Sequence, residues 1–479
     1  MTREKNDLLK GVARFNAPVS RRDCLRQLLY LSGAFATPLS PLALLAQEPA
    51  SPFKRQGPPL PPPPPVTPQQ ATTSADTRYR FSPKEDSFLE EIESTTFQFF
   101  WESTDPTTGL VKDRSLAKQQ DARNVASIAA TGFGLTAMCI AAERGWQPKD
   151  AIQARVLTNL RFAAEKLPHE HGFYYHFLKM ETGERIFTSE VSTIDTAIFL
   201  CGVLTCRSYF ADPEISALAN AIYDRIDWDF FQKGGPAAEL TLSMGWRPES
   251  GYIKSRWDGY SELMMLYLLG MGANRNPLPA DSWDSFKRPI FEFNGIRYIG
   301  AYAPLFTHQY SHAWFDFRGR HDKYADYFTN SAIATEVHKL WCLEMSNDFP
   351  DYTEDLWGIT ASDSQKGYTG WGGPPRIGHP DGSVVPAAPA GSLPFLPQET
   401  LRVLVTMREK YAAQAWTTYG FVDAFNPLNN WSSPDVIGID AGITILMAEN
   451  ARTGFVWEQF MKNPEIRRAM EKAQFQKNT

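Results

Sequence analysis

Apolar residues return at helical spacing along most of the chain after Asp86. Between Ser87 and Phe100, Phe88, Leu89, Ile92, Phe97, Phe99 and Phe100 give apolar positions at helical spacing. The stretch ASIAATGFGLTAMCIAA (126–142) differs: it is apolar nearly all round and rich in small residues, as an inner helix that lets its neighbours approach closely must be. Further helices are predicted over 148–167, 191–210, 213–228, 260–271, 334–345, 397–411, 439–451 and 464–473, with Pro opening several of them. Phe173-Tyr174-Tyr175-His176-Phe177 and the turn Glu181-Thr182-Gly183-Glu184 predict a short β-hairpin. Helices that alternate between small-residue-rich and amphipathic predict an all-α fold, a closed (α/α) toroid of nested rings with short β-hairpin insertions. An α-solenoid would need a fixed repeat period, and none is visible.

The toroid pattern does not reach the N-terminus. Residues 1–48 carry Ser20-Arg21-Arg22-Asp23-Cys24-Leu25 ahead of a weakly apolar stretch, the pattern of a twin-arginine export signal; an ordinary secretory signal with a chance Arg pair gives the same compartment. A periplasmic or secreted protein is expected. Pro38 and Pro41 interrupt the apolar stretch, so it does not predict a membrane span. Residues 49–85, with five consecutive prolines from Pro61 to Pro65, predict a stiff polyproline linker, which leaves 86–479 as the catalytic domain.

Composition narrows the chemistry. A net charge of −6 and the lack of a long basic run argue against nucleic acid as a partner. Thirteen Trp, 18 Tyr and 31 Phe exceed the usual needs of a helical core and suggest an aromatic-lined cleft, although packing alone accounts for many of them. Cys139, Cys201, Cys206 and Cys342 lie in apolar helical patterns and are expected to be buried small hydrophobes, with Cys201 and Cys206 too far around one helix to bridge each other. No GxSxG elbow and no GxxxxGK[ST] loop occurs, so neither serine-hydrolase nor nucleotide chemistry is indicated. His308 and His312 are four apart but lack an HExxH context, and neither a metal nor another cofactor is expected.

Acidic residues recur where apolar helices begin. Glu190 and Asp195 open one such helix, Glu262 another and Asp440 a third. Capping and the helix dipole account for any one of them alone. Their recurrence at helix starts, which a toroid gathers on one face, points instead to a site. Glu262 leads into Leu263-Met264-Met265-Leu266, where partial desolvation would raise its pKa and suit it as general acid; Asp440, among apolar residues and glycines, suits a base that activates water. Trp257 and Tyr260 precede Glu262, and the loops 298–317 and 355–375 bring His308, Trp314, Trp357, Asp363 and Trp371. Aromatic faces alternating with polar side chains suit a sugar.

Several ordered motifs then become informative together: Gly109 to Ser115, Ser127 to Gly134, Glu190 to Ala197, Trp257 to Glu262, Asp355 to Asp363, Tyr419 to Asn426 and Gly438 to Gly442. With them the chain resembles the glycoamylase-like family, which includes bacterial endo-β-1,2-glucanases and relatives within cyclic β-1,2-glucan synthases. The resemblance implies an (α/α)6 barrel that hydrolyses a glucan with inversion, Glu262 as acid and Asp440 as base. Asp113, Arg114, Glu190, Asp195 and Asp363 would line the sugar subsites. A transglycosylase or phosphorylase on the same barrel, or a glycan-binding protein without catalysis, are the alternatives. The partner expected is a glucan met by a monomer, without nucleotide or stable membrane insertion.

Overall fold

The structure is a computed structural model that describes residues 79–233, 240–375 and 378–478. The predicted export signal and all but the last few linker residues lie outside the described residues. The first helix among the described residues, α1 (Pro83–Glu102), begins inside the predicted linker range, because Ser82 and Glu85 form a reciprocal capping box and Pro83 follows the cap.

Burial sorts the helices into two layers. In α2 (Ile128–Arg144) every residue from Ile128 to Ala141 is buried, and in α4 (Thr193–Phe210) every residue from Thr193 to Cys206. The same holds for all of α6 (Met264–Gly272) and for Gly438 to Ala451 of α9 (Gly438–Arg452). These are inner helices. By contrast α3 (Lys149–Glu165) buries Ile152, Val156, Leu160 and Ala163, and α5 (Pro213–Asp224) buries Ile215, Ala219, Ile222 and Tyr223, a single stripe each. The helix α10 (Pro464–Lys472) likewise buries one face, against α6. Helices α7 (Tyr327–Glu344) and α8 (Pro397–Lys410) complete the long elements.

The small residues of 126–142 have the predicted purpose. A Cβ on Gly202 of α4 would lie 2.2 Å from the Gly132 carbonyl oxygen of α2, so the two inner helices touch backbone to backbone. Cys139 and Cys206 meet across this seam with their sulfurs 3.6 Å apart, and all four described cysteines are free and buried.

Each of three inner helices is fed by a short strand that ends at its N-cap: β2 (Val125–Ser127) leads into α2, β4 (Val191–Ser192) into α4 and β7 (Asp435–Ile437) into α9. These strands pair with other loop segments. β1 (Arg114–Leu116) runs antiparallel to β7, with Arg114 opposite Ile437; β2 pairs with β3 (Phe177–Lys179); β4 pairs with β5 (Gly245–Arg247), which pairs with β6 (Gly251–Tyr252). The helix starts are thereby stitched into one face.

Several expectations shift, among them the helix predicted from residue 334, which begins at Tyr327. The predicted hairpin is short, with Leu178 opposite Arg185 and backbone bonds from Lys179 to Glu184 and from Ile186 to Phe177, and β3 pairs on its other side with β2. Helix α6 begins at Met264 rather than Tyr260, so Glu262 lies in the turn before it. The predicted helix 213–228 stops at Asp224, and a separate short helix, Trp228–Lys233, follows. Among the described residues, no helix is long and apolar enough to cross a membrane.

Candidate active site

The strand-to-helix junctions of α4 and α9 share a register. Asp195 is the third residue of α4 and Asp440 the third of α9, each preceded by an Ile. Ser192 caps α4, accepting the Asp195 N–H at 3.2 Å and donating its hydroxyl to the Asp195 carboxylate. Capping and site placement therefore coincide at Asp195. His176 stands beside it, with Nδ1 3.7 Å from Asp195 and 3.5 Å from Glu190, and Arg247 donates to Glu190 at 3.0 Å.

Next to this group opens a cleft of about 360 Å³ lined by Asp113, Arg114, His176, Phe177, Asp195 and Tyr368. Arg114 is its organising cation. Its Nε donates to Asp113 at 3.0 Å, its Nη1 reaches both oxygens of Asp363 at 3.0 Å, and Asp435 lies 3.5 Å away. Burial alone would disfavour this charge, but the three carboxylates hold the guanidinium firmly protonated. Arg123 braces Asp435 from behind through two hydrogen bonds. Loop 362–371 closes the wall: Ser362 and Thr369 exchange backbone hydrogen bonds, which sets Asp363 on Arg114 and Tyr368 over the cleft.

Asp440 faces a smaller cavity, shared with Asp423, Tyr419, Phe421 and Thr444. The two regions are joined through Asp363, whose side chain meets Arg114 and whose N–H donates to Asp423 at 2.6 Å. Burial first, then the neighbouring Asp363 and Asp440 carboxylates, push the Asp423 carboxyl well above the usual range. Sequence reasoning gave Asp423 no role. It lay inside a recognised motif but away from any helix start, so the helix-start criterion passed over it. His176 was hidden in the same way by its hairpin reading.

Glu262 is buried in the turn before α6; its backbone carbonyl accepts the Ser311 hydroxyl at 2.8 Å, and the Ser311 Oγ in turn accepts the Met265 N–H at 3.1 Å. Ser311 thus caps α6 from a distant 3₁₀ turn. Trp257, just upstream, donates its indole N–H to Thr193 at 2.9 Å and so ties this segment to the start of α4. Glu262 lines neither of the two cavities above.

The remaining predicted contact residues are more enclosed than a sugar platform requires. Trp257, Tyr260, Trp314 and Trp357 are essentially buried; Trp314 donates to Thr136 and packs on Phe133. Tyr260 meets His308 Nδ1 at 3.2 Å, and His312 turns to Ser331, so the two histidines serve separate partners. Trp371 donates to Ser362 at 2.9 Å from a left-handed backbone, φ 56°, and braces the loop beneath Tyr368. Of the predicted set, Asp113, Arg114, Asp195 and Asp363 come together around one cleft, with Glu190 alongside.

Comparison with known proteins bears on these features. Residues 254–464 match the family model Glycoamylase. An exo-β-1,2-glucooligosaccharide sophorohydrolase (non-reducing end) of Parabacteroides distasonis is 26% identical over 440 residues, covering 84% of this chain. This chain spans 59% of that protein's length. A candidate glucoamylase of Bacteroides uniformis superposes with a TM-score of 0.77 at 28% identity, over 83% of this chain and 99% of that one. The endo-β-1,2-glucanase of Chitinophaga pinensis, solved with sophorotriose and glucose, gives 0.75 at 27%, over 82% and 98%. The fold is thus the (α/α)6 toroid of glucoamylase-like proteins. Within that class, the chain is similar to the glycoamylase-like proteins and to bacterial β-1,2-glucanases.

Proposed function

We propose that the protein is an exported glycoside hydrolase that cleaves β-1,2-glucan with inversion, with Glu262 as general acid and Asp440 as general base. The observation that carries it is the set of buried acidic residues at the inner-helix starts: Asp195 lines the cleft around Arg114, Asp440 lines the smaller cavity joined to it through Asp363, and Glu262 is buried in the turn before α6. In the reaction, the Glu262 carboxyl gives its proton to the glycosidic oxygen as the C–O bond breaks. Water attacks the anomeric carbon from the opposite face and loses a proton to Asp440.

The relatives' named substrates support β-1,2-linked glucose as the first sugar to try. Arg114 bears on the phosphorylase alternative: its Nε and Nη1 are taken by Asp113 and Asp363, and the carboxylates around it make a poor pocket for a phosphate dianion. An exposed ring, Phe187, stands next to the cleft-lining Phe177 and offers a sugar-stacking face at the rim.

The test is incubation of the purified protein with linear β-1,2-glucan and a panel of other α- and β-glucans, following reducing ends and the anomer first released by NMR. Release of the α-anomer from β-1,2-glucan is expected. Inactivity on the whole panel would sink the hydrolase reading, and release of the β-anomer would sink inversion. Export by the twin-arginine route is tested by replacing Arg21 and Arg22 with Lys, which is expected to retain the protein in the cytoplasm.

A further inference from the structure

The Asp423 side chain is fixed from two directions. Its own N–H donates to the Asp435 carbonyl at 3.0 Å, and its Oδ2 accepts the Asp363 N–H at 2.6 Å. The other oxygen, Oδ1, is buried and meets no protein N–H or O–H donor. The Asp440 carboxyl shares its cavity, whose other walls are mostly apolar groups such as Val422, Val436 and Ile437.

Two carboxylate ions have four acceptor oxygens and no proton between them, so contact in an apolar cavity repels. One proton shared between them turns the contact into a charge-assisted O–H···O⁻ hydrogen bond. The surrounding charges decide which carboxyl keeps it. The Asp363 carboxylate acts on Asp423 as a second negative charge, and the cation nearest to that pair, Arg114, is itself matched by Asp113 and Asp363. Tyr419 closes the cavity with its hydroxyl turned to Glu102. Among the described residues, no ion pair is formed by Asp423. Asp440 sits in the first turn of α9, where the helix dipole favours its negative charge.

We infer that Asp423 is a positioning residue: a neutral carboxylic acid that donates its proton to Asp440 and so keeps Asp440 ionised and aimed as the base. The inference rests on Asp440 acting as that base. It separates the two neighbouring aspartates by role, one holding a proton and one ready to accept one from water. It also predicts that the amide of Asn, which still donates, replaces Asp423 where a methyl group does not.

Two measurements on the full-length protein test this. Infrared difference spectra between wild type and Asp423→Asn at neutral pH are expected to contain the C=O band of a protonated carboxyl in wild type only. No such band in wild type overturns the proposal and makes Asp423 an ionised group hydrated in its cavity. The pH profile of kcat/KM on β-1,2-glucan reads the positioning. Asp423→Asn is expected to keep kcat within about tenfold with its acid limb in place, while Asp423→Ala lowers kcat by about 10²-fold, in the range of a lost acid–base contribution, and moves the acid limb to higher pH with KM unchanged. Equal losses in both variants with an unmoved acid limb, in proteins that melt like wild type, overturn it. Wild type inactive on every glucan refutes the hydrolase reading separately, and the infrared band still decides where the proton is.

Discussion

Arg114 and Asp363 meet through a single nitrogen: Nη1 lies 3.0 Å from both carboxylate oxygens, although 249 residues separate the two in sequence. The same guanidinium holds Asp113 and Asp435, and with Arg123 on the far side of Asp435 it offsets much of the charge of a cluster that would otherwise repel itself. Replacing Arg114 by Ala leaves three nearly buried carboxylates facing each other. Loss of one partner from a buried ion pair costs about 3–5 kcal/mol, and a loss of that order is expected in urea denaturation at pH 7. Because protonation relieves the repulsion, the deficit should shrink as the pH is lowered toward 4. Arg114→Lys should recover only part of it, since one ammonium cannot span Asp113 and Asp363 together. A deficit that does not change with pH would mean lost packing rather than lost charge.

Glu262→Gln and Asp440→Asn keep volume and remove the acid or the base. Each is expected to lower kcat by about 10²- to 10⁴-fold on β-1,2-glucan with little change in KM or melting temperature. A substrate with a good leaving group, such as an aryl glycoside that needs little protonation, should recover much of the lost rate in Glu262→Gln and none in Asp440→Asn. The reverse pattern would exchange the two roles.

The helices were legible because their burial follows from composition. Residues 126–142, apolar all round, became an inner helix, and 213–224, with its stripe of Ile215, Ala219 and Ile222, an outer one. The acidic helix starts were legible for the same reason, since an Asp entering an apolar run is conspicuous. What stayed hidden depends on contacts between distant segments. Asp423 became notable only when folding set it beside Asp440 and under the Asp363 N–H. The aromatic residues misled in the opposite direction: Trp257 and Trp314 suggested platforms by type, yet their indole N–H groups are spent on Thr193 and Thr136 inside the core. Residue type does not say which way a ring faces.

Three buried histidines make stability fall in acid. Burial drives His308, His312 and His338 down to about 3, and His338 Nε2 accepts the Ile359 N–H at 2.9 Å, a bond that protonation would destroy. Their folded pKa lies below the unfolded value near 6.5, so the folded state binds fewer protons. Stability is therefore fully present above pH 6.5 and is lost as the pH falls toward 3. Each histidine contributes a slope of about 1.4 kcal/mol per pH unit in that window. Denaturant unfolding between pH 7 and 4 should lose about one proton's worth of slope in His338→Gln, whose side-chain oxygen still accepts a hydrogen bond. An unchanged slope would show that His338 is charged in the fold.

Phe187 combines three features that rarely coincide. Its ring is 51% exposed, its backbone is left-handed at φ 54°, and the next residue, Thr188, is left-handed too at φ 48°. Both are costly conformations for residues with a Cβ, and Phe is poorly placed in water. The ring meets Phe177 edge-on at 6.2 Å, and Phe177 lines the cleft, so the strained turn holds a flat apolar face at the cleft rim. If that face stacks on a sugar, Phe187→Gly should relax the backbone and lose the platform at once. The expected result is a gain of about 1 kcal/mol in stability with a rise in KM for long glucans of roughly three- to tenfold, the worth of one aromatic contact. Short oligosaccharides that do not reach the rim should be hydrolysed as before, and Phe187→Trp should keep the low KM. A stability gain with no change in KM on any chain length would make the exposed ring an accident of the turn rather than part of the site.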